Sequence, residues 1–196
     1  MKRITLFAVA TLVLTPLLHS DEAGKSIFNG KDLTGWKAPE GNIWWLAEDG
    51  ILKVRSGPDQ KGSVLWTEEE FSDFDVTLDF KFGEGTIDSG VHLKSEDQIQ
   101  IGISGSLKRD MTASPYIPGK GYPVEAEGVK ELLKMDDWNT LKIEVRGSTY
   151  TSYLNGKKVM TYTSESGKEK GPIGLQLHAK RNMSIDFRNI RLAEKE

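Results

Sequence analysis

Hydrophobic and polar residues alternate along much of this chain with the period of two that β-strands produce. The clearest run, residues 74–82, places phenylalanine, valine and leucine on one face and charged or hydroxylated residues on the other. Residues 141–145 alternate in the same way. The Asn155-Gly156 pair lies between two further runs. It predicts a hairpin with a type I′ turn, because both residues tolerate positive φ.

Short runs of this kind dominate the chain, and no stretch has the pattern of a long amphipathic helix. Residues 129–135 suffice for one or two helical turns. About ten to twelve short strands predict an all-β fold, a β-sandwich (jelly roll) of two antiparallel sheets, which we expect as a single domain over residues 21–196. The longest irregular region, residues 104–127, contains three prolines. A loop of that length is expected to border a functional site.

The segment from Gly174 to His178 alternates strictly and is the most informative stretch of the sequence. In a strand, Leu175 and Leu177 would point to the core, and Gln176 and His178 would lie together on the other face, about 7 Å apart. An amide and an imidazole at this spacing favour binding of a hydroxylated ligand.

Two further stretches offer polar residues to the same kind of face. Residues 89–94 and 98–101 each alternate, with their apolar members directed inward. If these strands adjoin in one sheet, six polar side chains share a ligand-facing surface of the kind that jelly rolls use: His92, Lys94, Gln98, Gln100, Gln176 and His178. An ordinary solvated face is the alternative, which the preference for His and Gln over Lys and Glu disfavours.

The first 20 residues have the features of a signal peptide, since Lys2 and Arg3 precede an apolar stretch, residues 4–18, that is short for a bilayer span. An uncleaved N-terminal anchor is the alternative. The chain has no cysteine, which excludes a disulfide framework and thiolate chemistry. We therefore expect a bacterial protein that is periplasmic or secreted. A net charge of −3 gives no sign of a nucleic-acid partner, and no second apolar run is long enough for a stable membrane span.

Sugars are bound by aromatic platforms together with a few planar hydrogen-bonding groups. The chain has five tryptophans. Trp36, Trp66 and Trp138 lie beside strand starts and turns, where packing at the sandwich edge is the simpler interpretation and a sugar platform is the alternative.

The common catalytic motifs are absent from the sequence, since it has no phosphate loop, no HExxH and no GxSxG. The pattern does not place two carboxylates on one set of strands, as ordinary glycoside hydrolysis requires. His92 and His178 have the chemistry for acid–base catalysis near neutral pH or for holding a metal. No cofactor is indicated with certainty, and a divalent metal is left open.

Seven short motifs occur in order: residues 27–36 (IFNGKDLTGW), 65–67 with 71–74 (LWT, FSDF), 88–91 (DSGV), 137–139 (DWN), 154–156 (LNG), 171–176 (GPIGLQ) and 187–190 (FRNI). Through them, residues 27–192 resemble the 3-keto-disaccharide hydrolase family. The resemblance implies a concanavalin A-like lectin/glucanase sandwich. It also implies exported enzymes described as 3-keto-glucoside 1,2-lyases and 3-keto-2-hydroxy-glucal hydratases.

The chemistry implied by this resemblance needs no carboxylate pair. A ketone at C3 acidifies the C2 hydrogen, so a general base can remove it and the C1 aglycone can leave by elimination. Water then adds to the product, and the net reaction is hydrolysis of the 3-keto-glycoside. One base, one group that polarises the ketone and one acid for the leaving oxygen suffice.

The family's site region maps onto residues 88–94, 98–100, 116 and 176–178 of this chain. Many members have Glu, Asp and Arg where this sequence has Gln98, Ile103 and Lys94. The resulting expectation assigns acid–base catalysis to His92 or His178 and ketone polarisation to Lys94. Substrate binding is assigned to five further residues: Asp88, Gln98, Gln100, Tyr116 and Gln176.

Two other classes of function are open at this point. A non-catalytic carbohydrate-binding domain would keep the fold and lack the family's acidic residue at position 98. A structural protein of the cell envelope would have no pocket at all. For the enzyme and for the binding domain, the expected ligand is a saccharide or a 3-keto-glycoside.

Overall fold

The structure, a computed structural model, describes residues 24–195, and the predicted signal peptide lies outside the described residues. The elements, in chain order, are β1 (Lys25–Ser26), β2 (Trp36–Lys37), β3 (Trp45–Glu48), β4 (Ile51–Arg55), β5 (Ser63–Thr67), β6 (Phe74–Gly85), β7 (Asp88–Leu93), β8 (Gln98–Gly102), β9 (Pro115–Tyr116), α1 (Val129–Leu132), β10 (Asn139–Arg146), β11 (Thr149–Leu154), β12 (Lys157–Thr163), β13 (Ile173–Leu177) and β14 (Met183–Glu194).

The strands form two antiparallel sheets. Sheet A has the order β12-β11-β10-β6-β14-β4-β3, with β1 beside β14. Sheet B has the order β2-β5-β13-β7-β8-β9. The predicted all-β sandwich is therefore confirmed. No helix among residues 24–195 is long and apolar enough to cross a membrane.

The core lies between the sheets and is built from the apolar members of the alternating runs. On β6, Phe74, Val76, Leu78 and Phe80 are all buried, while Phe82 is only half-buried. Sheet B contributes its own set from β7, β8 and β13: Val91, Leu93, Ile99, Ile101, Leu175 and Leu177. Burial of each such side chain contributes about 1.5–3 kcal/mol, so the alternation that predicts the strands also supplies the driving force that pairs the sheets.

The predicted hairpin joins β11 to β12. Asn155 has φ 49° and Gly156 has φ 83°, the positive values that a type I′ turn requires. The predicted short helix is present as the single turn α1.

The region 104–127 is more regular than the sequence indicates, because part of it pairs along the edge of sheet B. Strand β9 extends the sheet beyond β8. The two residues that precede β9 in the chain also bond to β8: Gln100 N donates to Ser114 O at 2.9 Å, and Ala113 N donates to Gln100 O at 2.8 Å. The region therefore covers an otherwise open sheet edge and brings its tyrosines to the rim of the sheet.

Candidate functional site

The polar face predicted from the alternation lies on the outer surface of sheet B. Strands β13, β7 and β8 are neighbours there, and their register sets Gln176 and Gln100 on either side of Gly90. Because Gly90 has no side chain, Gln98 can lie close above it: a Cβ at Gly90 would meet Gln98 Oε1 at 3.0 Å. The glycine therefore makes room for the Gln98 side chain between the neighbouring strands.

A cavity of about 540 Å³ lies on this face. Six of the eight site residues predicted from the sequence line it: Asp88, Gln98, Gln100, Tyr116, Gln176 and His178. Three further contributors, Ser104, Tyr122 and Arg181, were not singled out from the sequence as site residues.

One wall of the cavity is a chain of polar contacts that ends on a carboxylate. Gln98 Nε2 donates to Gln100 Oε1 at 3.1 Å, and Gln100 Nε2 donates to Asp88 Oδ1 at 2.9 Å. The other carboxylate oxygen of Asp88 accepts from Arg181 Nε at 3.2 Å. The Asp88 side chain is 3% exposed. Both oxygens of a buried carboxylate are thus engaged, which fixes the positions of Gln100 and Arg181 around it.

Gly105 lies directly against the Asp88–Arg181 ion pair. A Cβ at Gly105 would come within 2.7 Å of Arg181 Nη2 and 3.1 Å of Asp88 Oδ2. The absence of a side chain at this position therefore lets the loop after β8 close over the guanidinium and the carboxylate.

His178 follows β13 and presents its ring to the cavity. Its Nδ1 lies 2.7 Å from the carbonyl oxygen of Ala179. A carbonyl oxygen can only accept, so Nδ1 carries the proton and, in the neutral ring, Nε2 keeps its lone pair. Asp88 Oδ2 lies 3.9 Å from Nδ1. The imidazole is therefore held in the tautomer that can take up a proton at Nε2.

His92 does not line this cavity, although it lies on the same face of the sheet. Its ring packs against Trp66, with 5.1 Å between the ring centroids and 39° between the planes. Neither ring nitrogen has a hydrogen-bond partner among the described residues, and the residue is only 4% exposed. Burial lowers the pKa of His92, so the ring is neutral near pH 7.

Lys94 is also away from this cavity. The alternation of β7 ends just before it, because Lys94 takes φ 62°. Its Nζ donates to Gly147 O at 2.7 Å and to Glu169 O at 3.3 Å. The ammonium therefore holds two loop carbonyls outside this cavity, and burial lowers the pKa of Lys94. Lys94 instead lines a second cavity, beside Trp66.

Two tyrosines from the long loop close the cavity on the β9 side. The rings of Tyr116 and Tyr122 pack edge to face, with 5.3 Å between centroids. Burial raises the pKa of Tyr122, so its phenol stays protonated at neutral pH and can donate a hydrogen bond or a proton.

The described residues hold no group of three or more His, Asp or Glu side chains arranged to bind a metal ion. The groups that do line the cavity are an imidazole, a guanidinium–carboxylate pair, amides and phenols.

The fold and the site define a β-sandwich protein with an amide-rich, tyrosine-rimmed cavity on the outer face of one sheet. Sequence comparison is more specific. The chain belongs to the family of 3-keto-alpha-glucoside-1,2-lyase-like domains, whose model matches residues 23–193. This confirms the family predicted from the seven motifs. Among curated proteins, no sequence matches the chain significantly.

Solved structures show the same fold. A candidate glycosyl hydrolase from Parabacteroides distasonis ATCC 8503 is 23% identical, with a TM-score of 0.64 over 84% of this chain and 96% of that chain. The carbohydrate-binding module CBM66 from Bacillus subtilis is 16% identical, with a TM-score of 0.56 over 82% and 96%. A Bacillus subtilis protein with a galectin-like fold is 14% identical, with a TM-score of 0.51 over 83% and 90%. These likenesses confirm the lectin-type sandwich.

Proposed function

We propose that this protein is an exported bacterial enzyme that cleaves 3-keto-glycosides by elimination across C1 and C2, followed by hydration. The observation that carries the proposal is the position of His178, whose Nε2 is free to accept a proton beside the buried Asp88–Arg181 pair. Membership of a family described as 3-keto-alpha-glucoside-1,2-lyase-like supplies the substrate class.

His178 acts as the base in this reaction. The C2–H bond breaks, the proton moves to His178 Nε2, and the electron pair delocalises into the C3 carbonyl as an enolate. When the enolate collapses, a C1–C2 double bond forms and the C1–O bond breaks. Water then adds at C1 and a proton returns to C2, which gives the free 3-keto sugar. A single positioned base is enough, because the ketone provides the acidity.

Arg181 stabilises the enolate oxygen and takes the role predicted from the sequence for Lys94. Nε of Arg181 is bound to Asp88, and the guanidinium retains further N–H donors on its other nitrogens. A pre-positioned cation stabilises developing negative charge in the transition state. The protonated phenol of Tyr122 is the acid for the leaving oxygen.

The glutamines bind the hydroxyl groups of the sugar. Gln98 Oε1 and Gln176 Oε1 find no hydrogen-bond partner within the described part of the chain. Unpartnered acceptors in a cavity wall require donors, and sugar hydroxyls are such donors. Gln98 replaces an acidic residue common in the family and cannot accept a proton, so the base function rests on His178 in this chain.

That replacement also supports a second candidate, a non-catalytic carbohydrate-binding domain. The neutral amide at position 98 can bind a sugar without performing acid–base chemistry. The cavity of about 540 Å³ disfavours the third class, an envelope protein without a pocket.

Incubation with an aryl 3-keto-glucoside, with and without added divalent metal, separates the first two candidates. Aglycone release by the wild-type protein that is lost in His178→Ala supports the enzyme. Binding of the same compound by calorimetry without any release supports the binding domain. Recovery of the protein in the periplasmic fraction or the medium tests its export.

A further inference from the structure

Two connections between the sheets run side by side at one end of the sandwich. Residues 56–62, the supporting loop, join β4 of sheet A to β5 of sheet B, and residues 178–182, the site loop, join β13 of sheet B to β14 of sheet A. The strands that they join are paired in both sheets, β4 with β14 and β5 with β13. The supporting loop therefore lies against the site loop, which carries both His178 and Arg181 to the cavity.

Ser56 holds the end of the site loop from which Arg181 projects. Its Oγ donates to Arg181 O at 2.8 Å and accepts from Met183 N at 3.1 Å. The main-chain N–H of Ser56 donates to Met183 O at 3.0 Å. The backbone that carries the guanidinium is therefore bonded to the supporting loop at Arg181 itself and again two residues later.

The peptide between Ala179 and Lys180 joins the supporting loop to the imidazole of His178. Its N–H, on Lys180, donates to Gln60 O at 2.8 Å. Its carbonyl oxygen, on Ala179, lies 2.7 Å from His178 Nδ1 and accepts the Nδ1 proton. Because a peptide unit is planar, the bond that fixes its N–H also fixes the direction of its carbonyl oxygen. The Gln60 carbonyl thus determines where the imidazole finds its acceptor, and the two hydrogen bonds polarise each other.

The backbone on both sides of the bond between the two loops is left-handed, which side chains other than glycine rarely adopt. Gln60 has φ 49° and Lys180 has φ 59°, and both side chains are exposed. Such residues persist where the surrounding structure holds them, and they cluster at functional sites. Gly62 lets the loops approach closely at this point, because a Cβ there would come within 3.0 Å of Ala179 N.

We propose that Gln60 is a positioning residue for the site, and that its main-chain carbonyl holds His178 in the tautomer whose Nε2 is free to accept a proton. Gln60 is not among the residues that line the cavity, so it acts only through the Ala179–Lys180 peptide. The catalytic consequence rests on the proposed function, in which His178 Nε2 takes the C2 proton. The hold on the tautomer is a property of the folded protein and does not depend on the reaction.

The tautomer is measured by ¹⁵N–¹H correlation spectra of the His178 ring, at a pH at which the imidazole is neutral. The wild-type protein shows the proton on Nδ1. Gln60→Pro locks φ at about −65°, which moves the carbonyl and breaks its bond to Lys180 N. The ring nitrogens of His178 then shift to the averaged values of a mixture of both tautomers. Gln60→Gly is the matched control, because it also lacks the side chain but permits the positive φ, and it keeps the wild-type spectrum.

A second variant perturbs the same peptide without touching Gln60. The methyl group of Gly62→Ala displaces Ala179 by a few tenths of an ångström and shifts the His178 nitrogens in the same direction. Thr67→Val is the control for a general loss of stability. Thr67 Oγ1 donates to a carbonyl at 2.7 Å and accepts from Ile173 N at 3.0 Å, at the other ends of β5 and β13. Its loss removes two bonds like those of the Ser56 hydroxyl and leaves the His178 spectrum unchanged.

Turnover of a 3-keto-glucoside provides the second readout. Gln60→Pro lowers kcat about 10- to 100-fold and changes KM little, because a displacement of about 1 Å in a reacting group can cost 10²-fold. Ser56→Ala lowers kcat in the same direction through Arg181, whose carbonyl loses its donor. Ser56→Thr keeps the hydroxyl and restores the wild-type kcat, which separates the hydrogen bond from the packing of the side chain.

The outcomes separate the positioning role from the reaction. A proton on Nε2 in the wild-type protein overturns the proposal, and so does an unchanged His178 spectrum in both Gln60→Pro and Gly62→Ala. An equal change in Gln60→Gly or Thr67→Val overturns it as well, because the tautomer would then follow stability in general. The expected change of tautomer in a protein that releases no aglycone from any 3-keto-glycoside supports the positioning role and rejects the proposed reaction.

Discussion

Nε of Arg181 lies 3.2 Å from Oδ2 of Asp88 and donates a hydrogen bond to it. The two side chains are 22% and 3% exposed, so the pair is largely withdrawn from water. Because each partner neutralises the other, the cavity wall can contain a full negative charge and still present the rest of a guanidinium to a ligand. This pair is the structural basis of the proposed oxyanion site.

Arg181→Ala is expected to lower the free energy of unfolding by about 3 kcal/mol, because it leaves the buried Asp88 carboxylate without its cation. Urea unfolding measures this loss. The double variant Asp88→Asn/Arg181→Ala removes the uncompensated charge and should recover part of the lost free energy of unfolding. If the double variant is as unstable as Arg181→Ala, the loss of stability does not come from the uncompensated Asp88 carboxylate.

His178→Ala is expected to lower kcat/KM for a 3-keto-glucoside about 10²–10⁴-fold, the usual effect of losing a general base. The side chain is 43% exposed, so stability should change little. Added imidazole should restore part of the activity of His178→Gly, since it supplies the missing base. Wild-type turnover in both variants would show that another group removes the proton.

Lys94→Met is expected to reduce stability rather than catalysis. It removes the donor to Gly147 O and Glu169 O, and hydrogen bonds from a charged donor contribute about 2 kcal/mol. The kcat for methyl 3-keto-glucoside should fall less than tenfold, whereas loss of a group that stabilises an oxyanion costs about 10²–10³-fold. A larger fall in kcat in a folded Lys94→Met protein would mean that Lys94 takes part in the reaction.

The alternating pattern predicts much of the fold and of the site because burial in a sandwich has the same period as the strand. Gln100 and Gln176 could be assigned to the cavity because strands β8 and β13 both flank β7 in sheet B, whereas Asp88 was assigned through the family resemblance. Local pattern determines which face a strand residue occupies, so these positions follow from sequence once the strands are neighbours.

The pattern is uninformative where the backbone leaves the strand. Lys94 takes a positive φ, and alternation cannot signal the turn that carries its side chain away. Arg181 lies in the connection between β13 and β14, and its pairing with Asp88 joins residues 93 positions apart. Its position three residues after His178 was the one available signal. His92 lies on the predicted face, but the glycine on β13 allows Trp66 to cover it.

His92 should make the protein less stable in mild acid. Burial is the largest influence on its pKa and lowers it, while the negative charges of Glu96 and Asp97 act in the opposite direction. The folded-state pKa is thus below the unfolded value of about 6.5, and the unfolded chain binds more protons once the pH falls below that value. The contribution of His92 to stability is therefore fully present above about pH 6.5 and decreases as the pH falls, by at most ~1.4 kcal/mol per pH unit.

His92→Phe keeps a ring against Trp66 and cannot titrate. Its free energy of unfolding in urea should therefore decrease less between pH 7.5 and pH 5 than that of the wild-type protein. Parallel curves for His92→Phe and the wild-type protein would mean that His92 takes up its proton as easily in the folded state as in the unfolded chain.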